Sequence, residues 1–231
     1  LMVATVGDAA ISAVSLVDSI SNLMIYIFSA MATGGAAVAG QYIGLKQKED
    51  ACNAGQQLIA LLAVVSVSFA ALLYLFRPQI LTTMFGHIEP DVMDATNTYY
   101  LYVMASIPGI ALYNGGAALF RTMGRSDVSL KVSLLMNGIN VTGNAILIFG
   151  FGMGVMGAAL ASLISRAVAC CAVLFLLQKP DCMLRITGLS ALRPDGGLIR
   201  RILRVGIPAG IENGMFQIGK LSVASLTSTL G

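Results

Sequence analysis

The chain has 231 residues, of which 14 are Lys or Arg and 11 are Asp or Glu, so charge falls on 11 % of positions, where a soluble domain carries roughly 25 %. Hydrophobic residues make up 57 % and the mean hydropathy is +0.83, which excludes an ordinary water-soluble globule and points to a polytopic membrane protein. The absence of a Cys or His cluster and of a charged tail counts against a metalloenzyme, a disulfide scaffold and a nucleic-acid binder.

A bilayer-spanning helix needs about 20 predominantly apolar residues. In chain order, Leu1 to Val6 is apolar but too short to span before Gly7 and Asp8, and reads as the tail of a helix. Six longer runs follow, at roughly 12–40, 53–76, 92–119, 128–149, 154–178 and 202–230. The breaks between them, KQKED at Lys46 to Asp50, RPQ at Arg77 to Gln79, GRSD at Gly124 to Asp127 and GFGMG at Gly150 to Gly154, leave no room for a soluble domain. Laying Ser225 to Gly231 over Leu1 to Gly7 aligns Thr229 with Thr5 and Gly231 with Gly7. That match implies a six-helix repeat whose two copies keep one orientation, related by a pseudo-two-fold axis along the membrane normal.

Basic residues are retained on the cytoplasmic side of short loops. Lys46, Lys48, Arg121, Arg125, Lys131, Lys179, Arg185, Arg193, Arg200, Arg201 and Arg204 fall on one side and only Arg77 on the other. The expected organisation is a transmembrane lobe at 1–178, a cytoplasmic linker at 179–201 and the first helix of a second lobe at 202–231. Within the linker, Leu198 to Leu203 (LIRRIL) mixes apolar and basic residues as an interfacial helix does.

Polar groups inside the runs are the candidate functional residues. Asp18, Arg166, Glu212 and Lys220 are ionisable there, and such groups are costly in lipid unless paired or hydrated. Arg166 could pair with Asp18 or Glu212 across helices. Asn137, Asn140 and Asn144 are spaced three and four apart and so share one stripe of a helix. Ser162 and Ser165 could supply partner hydroxyls, and amide and hydroxyl oxygens suit a hard cation such as Na+ as well as water or the polar part of a substrate. Equally, the stripe could be glue between helices. Tyr99, Tyr100, Tyr102 and Tyr113 read as interface or cavity aromatics, and Met24, Met31, Met104, Met136, Met153 and Met156 as adaptable lining or core filler. Pro108 and Pro208 each remove an intrahelical hydrogen bond and are expected to bend their helices. His87 is placed in an outward loop without ligand partners, and Cys52, Cys170, Cys171 and Cys182 are expected to stay free.

Several motifs together carry a family resemblance: SLVDSI at Ser15 to Ile20, GGAAVAGQYIGLKQ at Gly34 to Gln47, LFRTMGRSDVSL at Leu119 to Leu130, NGINVTGNAILIFGFGMGVMGAALAS at Asn137 to Ser162, and VGIPAGIENGMFQIGK at Val205 to Lys220. The pattern resembles the multidrug and toxic compound extrusion (MATE) transporters, from the tail of helix one through helix seven. The resemblance implies an all-α fold, one six-helix lobe of a twelve-helix, two-lobe protein. It implies a multi-pass protein of a bacterial or archaeal cytoplasmic membrane, monomeric when full length and not an enzyme, in which the remainder of the same polypeptide completes the pathway. Its implied activity is export of cationic or amphipathic organic compounds in exchange for Na+ or H+, with no other cofactor. A flippase for lipids or polysaccharide precursors is the alternative, and an intramembrane enzyme a distant one.

In family members with a cation site in this lobe, the site joins a helix-one Asp, an Asn and an Asp on helix five, and a hydroxyl residue on helix six. Asn140 matches the Asn, Asn144 falls where the Asp would be, and Ser162 matches the hydroxyl. A family Tyr aligns with Tyr99 or Tyr100, and a family Glu on helix seven with Gln217, while Glu212 lies one turn after Pro208. The coupling candidates are therefore Asn140, Asn144, Ser162 and Glu212, and the substrate-cleft candidates Tyr99, Tyr100, Asn137, Arg166, Gln217 and Lys220.

Overall fold

The computed structural model describes residues 8–85, 90–180, 182–186 and 195–230, apart from the side chains of 8–13, 16, 83–85, 90–92, 94–95, 213–214 and 216–230. Among the described residues every element is a helix: α1 (Asp8–Gly44), α2 (Lys48–Leu75), α3 (Arg77–Phe85), α4 (Pro90–Ala105), α5 (Ile107–Thr122), α6 (Ser126–Asn144) continued by a π-helical turn (Ala145–Gly150), α7 (Gly154–Gln178) and α8 (Gly196–Leu230). Five segments are long and apolar enough to cross a bilayer: Val17–Gly44, Lys48–Leu75, Thr96–Thr122, Ser126–Gly150 and Gly154–Gln178. They coincide with the first five apolar runs. The side chains of most of the sixth, and the Leu1 to Gly7 tail with His87 and Arg193, lie outside the described residues.

One boundary differs from expectation. Residues 198–203 do not form a separate interfacial helix but the first turns of α8, which begins at Gly196. The Asp195 carboxylate accepts the backbone N–H groups of Gly197 at 2.9 Å and Leu198 at 3.2 Å, capping that start. The third run breaks at Ser106 between α4 and α5, two residues before Pro108, where a bend is expected.

Helix ends explain the short connections. After α5 the chain reverses at Gly124, φ +74°, with Arg125 N–H bonded to the Phe120 carbonyl at 2.9 Å, the left-handed closure that favours glycine. The same closure after α1 falls on Lys46, φ +58°, the one non-glycine residue at positive φ among those described. The 45–47 and 123–125 connections and residues 182–186 lie at one end of the bundle. There Cys52 Sγ donates to the Met183 carbonyl at 3.5 Å, and Arg201 donates to the Tyr42 hydroxyl and the Gln41 side-chain carbonyl, each at 3.2 Å. That end carries the described members of the basic cluster, and Arg77 starts α3 at the other, the asymmetry of loop charge that the sequence displays.

Helix α1 is the centre of the lobe, packed on α2, α4, α5 and α8, while α6 leans on α7. Phe28, Leu58, Tyr100 and Phe120 are fully buried between them. Val64, Val67 and Leu72 of α2 and Leu130, Leu134 and Phe149 along α6 are exposed, as side chains facing lipid tails should be.

The α1–α8 crossing depends on two glycines. A Cβ on Gly34 would lie 2.5 Å from the Gly206 backbone nitrogen, and one on Gly206 would lie 3.2 Å from Met31 Cα. Without a hydrophobic force between helices in lipid, such close backbone approach supplies the packing energy. Gly34→Ala should therefore destabilise the protein by about 1–3 kcal/mol, the usual cost of overpacking. Gly138→Ala, where an added Cβ meets nothing within 4 Å, should stabilise by up to about 1 kcal/mol through helix propensity. Thermal unfolding of the two purified variants measures this opposition in sign.

Candidate functional site

The inward faces of α1, α4, α5, α6 and α7 line a half-open cavity of about 850 Å³. From α1 it takes Ser15, Asp18, Ser21 and Asn22, whose spacing repeats the helical turn and sets them on one stripe. Tyr99 comes from α4, Tyr113 and Asn114 from α5, Asn137, Asn140 and Asn144 from α6, and Ser162, Ser165 and Arg166 from α7. Ile25, Ile110, Met136 and Ile148 supply apolar wall between them. Of the methionines read as adaptable lining, Met136 lies here, whereas Met24, Met31 and Met104 are buried core.

Two hydrogen-bonded groups organise the polar wall. In the first, Asn144 Nδ2 donates to Asn140 Oδ1 at 3.1 Å, and Asn140 Nδ2 donates to Ser162 Oγ at 3.2 Å and Ser165 Oγ at 3.4 Å. The amide stripe thus ties α6 to α7 and also faces the cavity. The π turn begins at the next residue and carries Ile148 into the wall. Its backbone rests on Gly157, where a Cβ would lie 3.0–3.2 Å from Leu147 atoms.

In the second group, Tyr99 donates its hydroxyl to Asp18 Oδ1 at 2.7 Å, joining α4 to α1. Arg166 Nη1 donates to Ser106 Oγ at 2.7 Å and to Ser21 Oγ at 3.3 Å, joining α7 to α5 and α1. Ser106 stands at the break in the third span because Pro108 has no N–H to return to the preceding turn. Its hydroxyl donates to the Val103 carbonyl at 2.6 Å and so still has a lone pair for the arginine. The work of Pro108 is therefore to start α5 and present Ser106, whereas Pro208 sits inside α8 without ending it.

Asn137, Asn140, Asn144, Ser162, Tyr99 and Arg166 are brought together. Tyr100 is not. It is fully buried on the far side of α4, with its hydroxyl donated to the Leu73 carbonyl at 2.9 Å. Glu212 is exposed on α8 and does not line the cavity, so the expected Arg166–Glu212 pairing is absent from the described geometry. The side chains of Gln217 and Lys220 lie outside the described residues. Sequence reasoning missed Ser21, Asn22 and Asn114 and left Asp18 unassigned. The polar spacing Asp18, Ser21, Asn22 on an otherwise apolar helix was the available signal.

Two buried atoms in the lining have no hydrogen-bond partner: Asn114 Nδ2, a donor, and Asn144 Oδ1, an acceptor. Buried polar atoms are nearly always satisfied, so these two set the cavity wall apart from the rest of the buried polar groups. No group of three or more His, Cys, Asp or Glu occurs among the described residues. The oxygens on offer are amide, hydroxyl and one carboxylate. Tyr99→Phe should destabilise the protein by about 1–2 kcal/mol by leaving Asp18 without its donor. Combined with Asp18→Asn it should cost less than the sum of the two single changes. A double-mutant cycle read by thermal unfolding measures that coupling, and additivity would mean the contact carries no energy.

The MatE family model matches residues 1–146. Over its whole length the chain is 27 % identical to the uncharacterized transporter YisQ of Bacillus subtilis, covering 51 % of that protein. Over 96 % of its length it is 26 % identical to the probable multidrug resistance protein NorM of Thermotoga maritima, covering 48 % of it. It also superposes, at TM-score 0.88 and 24 % identity, on the outward-facing conformation of a multidrug resistance MATE family transporter, covering all of this chain and 51 % of that one. The chain spans about half the length of the curated relatives it matches. The family match over more than half of its residues, together with this helical lobe and its inward polar wall, shows that the chain belongs to the MatE family of multi-pass membrane transporters.

Proposed function

We propose that the chain forms one lobe of a secondary active antiporter that exports cationic or amphipathic organic compounds in exchange for Na+ or H+ by alternating access. The observation that carries this function is the cavity itself. At about 850 Å³ it is drug-sized, it lies between membrane helices, and polar groups from five helices line it. Relatives whose names describe multidrug resistance, such as the Thermotoga maritima protein, support the same substrate class. Binding that favours one facing of the lobe over the other shifts the outward and inward populations.

The coupling ion would use one of two parts of the wall. For Na+, Asn144 Oδ1, the acceptor left without a donor, lies beside Asn140 and Ser162 and offers neutral hard oxygens. For H+, an amide cannot titrate near neutral pH, so the proton would go to Asp18, the carboxylate lining the cavity. Glu212, outside the cavity, is assigned no part in coupling within this lobe.

Efflux of ethidium from proteoliposomes containing the full-length transporter tests both statements. An imposed inward Na+ or H+ gradient should drive efflux and ATP should not. Asn144→Leu should reduce transport at least about tenfold under Na+ coupling, and Asp18→Asn should do so under H+ coupling. Efflux that needs ATP, or that ignores both gradients, would contradict the antiporter.

A further inference from the structure

A second concavity lies apart from the transport cavity, at the end of the bundle that carries the basic loops. Three chain segments meet there at one border of the apolar spans: that of α5 ends at Thr122, that of α6 opens at Ser126 and that of α7 ends at Gln178. Beyond α7 the chain turns back on itself. The Cys182 N–H donates to the Lys179 carbonyl at 3.0 Å, and the Ile186 N–H to the Leu177 carbonyl at 3.1 Å. Cys182 is buried by that return, and its Sγ lies 3.9 Å from Met123 Sδ beside the α5–α6 turn. Between the turn and the return is a recess of about 200 Å³, lined by apolar Phe120, Val128, Leu176 and Cys182 and by the exposed cations Arg125 and Lys179.

Each cation is held against an aromatic ring. The Arg125 guanidinium carbon lies 6.0 Å from the centre of Phe120, and Lys179 Nζ lies 5.7 Å from that of Phe175, contacts that orient a charge without neutralising it. Among the described residues neither side chain has a hydrogen-bond or ion-pair partner: the one ion pair, Lys131–Asp127 at 3.4 Å, occupies the carboxylate nearest to Arg125 in sequence, and Asp181 lies outside the described residues. The recess is smaller than drug-sized pockets, which begin near about 300 Å³. Its contents must therefore be compact, negative and at home on an apolar floor at the edge of the hydrocarbon. We propose that it binds the phosphate of an anionic phospholipid, phosphatidylglycerol being the simplest, in the cytoplasmic leaflet, where basic loops are retained and anionic lipid attracts them. Arg125 and Lys179 donate to the phosphate oxygens, and the acyl chains continue into hydrocarbon beside α6 and α7, where Leu130 and Phe175 are exposed. The headgroup bridges the α5–α6 turn to the end of α7, and its binding is independent of which compound the cavity exports.

The test titrates the full-length transporter in detergent with phosphatidylglycerol and with phosphatidylcholine of the same acyl chains, read by native mass spectrometry of bound lipid and by thermal unfolding. Phosphatidylglycerol should bind at least about tenfold more tightly than phosphatidylcholine. Arg125→Gln and Lys179→Gln should each weaken it about fivefold, the effect of one basic residue at an anionic surface, and together they should bring the two lipids close to equal. Arg200→Gln with Arg204→Gln removes the same charge from α8 and should leave the preference within about twofold. Exchanging the cations, Arg125→Lys with Lys179→Arg, should keep most of it, and if a Gln variant fails to fold this pair and the unmodified protein decide. Equal affinities in the unmodified protein, a preference that survives the double Gln variant, a preference lost by the exchanged pair, or an equal fall with the Arg200 and Arg204 pair would each overturn the site. Inorganic phosphate added to the phosphatidylcholine sample should neither stabilise the protein nor compete with phosphatidylglycerol. Stabilisation by phosphate that Arg125→Gln removes would assign the recess to the free ion and overturn the lipid proposal.

Discussion

Lipid offers no hydrogen bonds, so every polar side chain carried into the bilayer by these helices must find its partner inside the lobe. The rest of the structure depends on that constraint. Helices α1, α6 and α7 each carry a short polar stripe on an otherwise apolar surface, α4 and α5 add Tyr99, Tyr113 and Asn114, and these groups turn toward one another. Their convergence produces the cavity. The apolar remainder of α2 and α6 is left facing outward, where large aliphatic side chains are exposed because the surrounding solvent is hydrocarbon.

Convergence requires close helices, and glycine supplies the room. At the α1–α8 crossing the two backbones nearly touch at Gly34 and Gly206. Two local departures from regular helix then aim polar groups inward. The break before Pro108 presents Ser106 to Arg166, and the π turn after Asn144 carries Ile148 into the wall beside the amides. Both departures sit next to the polar groups they serve, as irregular helical segments in membrane proteins commonly do. Electrostatically, the described wall holds one carboxylate and one guanidinium, each bonded to neutral hydroxyls instead of to each other. Such a wall is close to neutral overall but locally polar.

Much of this was legible in the sequence because membrane insertion writes itself in hydropathy and loop charge. The five described spans, the basic end of the bundle and the Asn140–Asn144–Ser162 cluster all follow from apolar run length and helical spacing. What could not be read were choices that depend on rotation about a helix axis. Tyr99 and Tyr100 are neighbours in sequence, yet one meets Asp18 in the cavity and the other is buried against α2. Adjacent positions on a helix point about 100° apart, and which of them faces inward is decided by the packing of α4. Asn114 was overlooked because a single amide in an apolar run has no periodicity to reveal it. The Leu198 to Leu203 segment reads as interfacial by composition, but packing against α1 and the Asp195 cap make it the start of α8.

The central claim is that the amide stripe of α6 faces a water-accessible transport cavity while the opposite face of the same helix meets lipid. Cysteine accessibility in the full-length transporter measures that most directly, in a background from which Cys52, Cys170, Cys171 and Cys182 have been removed. Asn137→Cys should react with a membrane-impermeant thiol reagent and be protected by a transported dye, whereas Leu135→Cys, exposed on the opposite apolar face, should stay unmodified. Modification of Leu135→Cys with Asn137→Cys inert would reverse the assigned faces of α6 and contradict this arrangement.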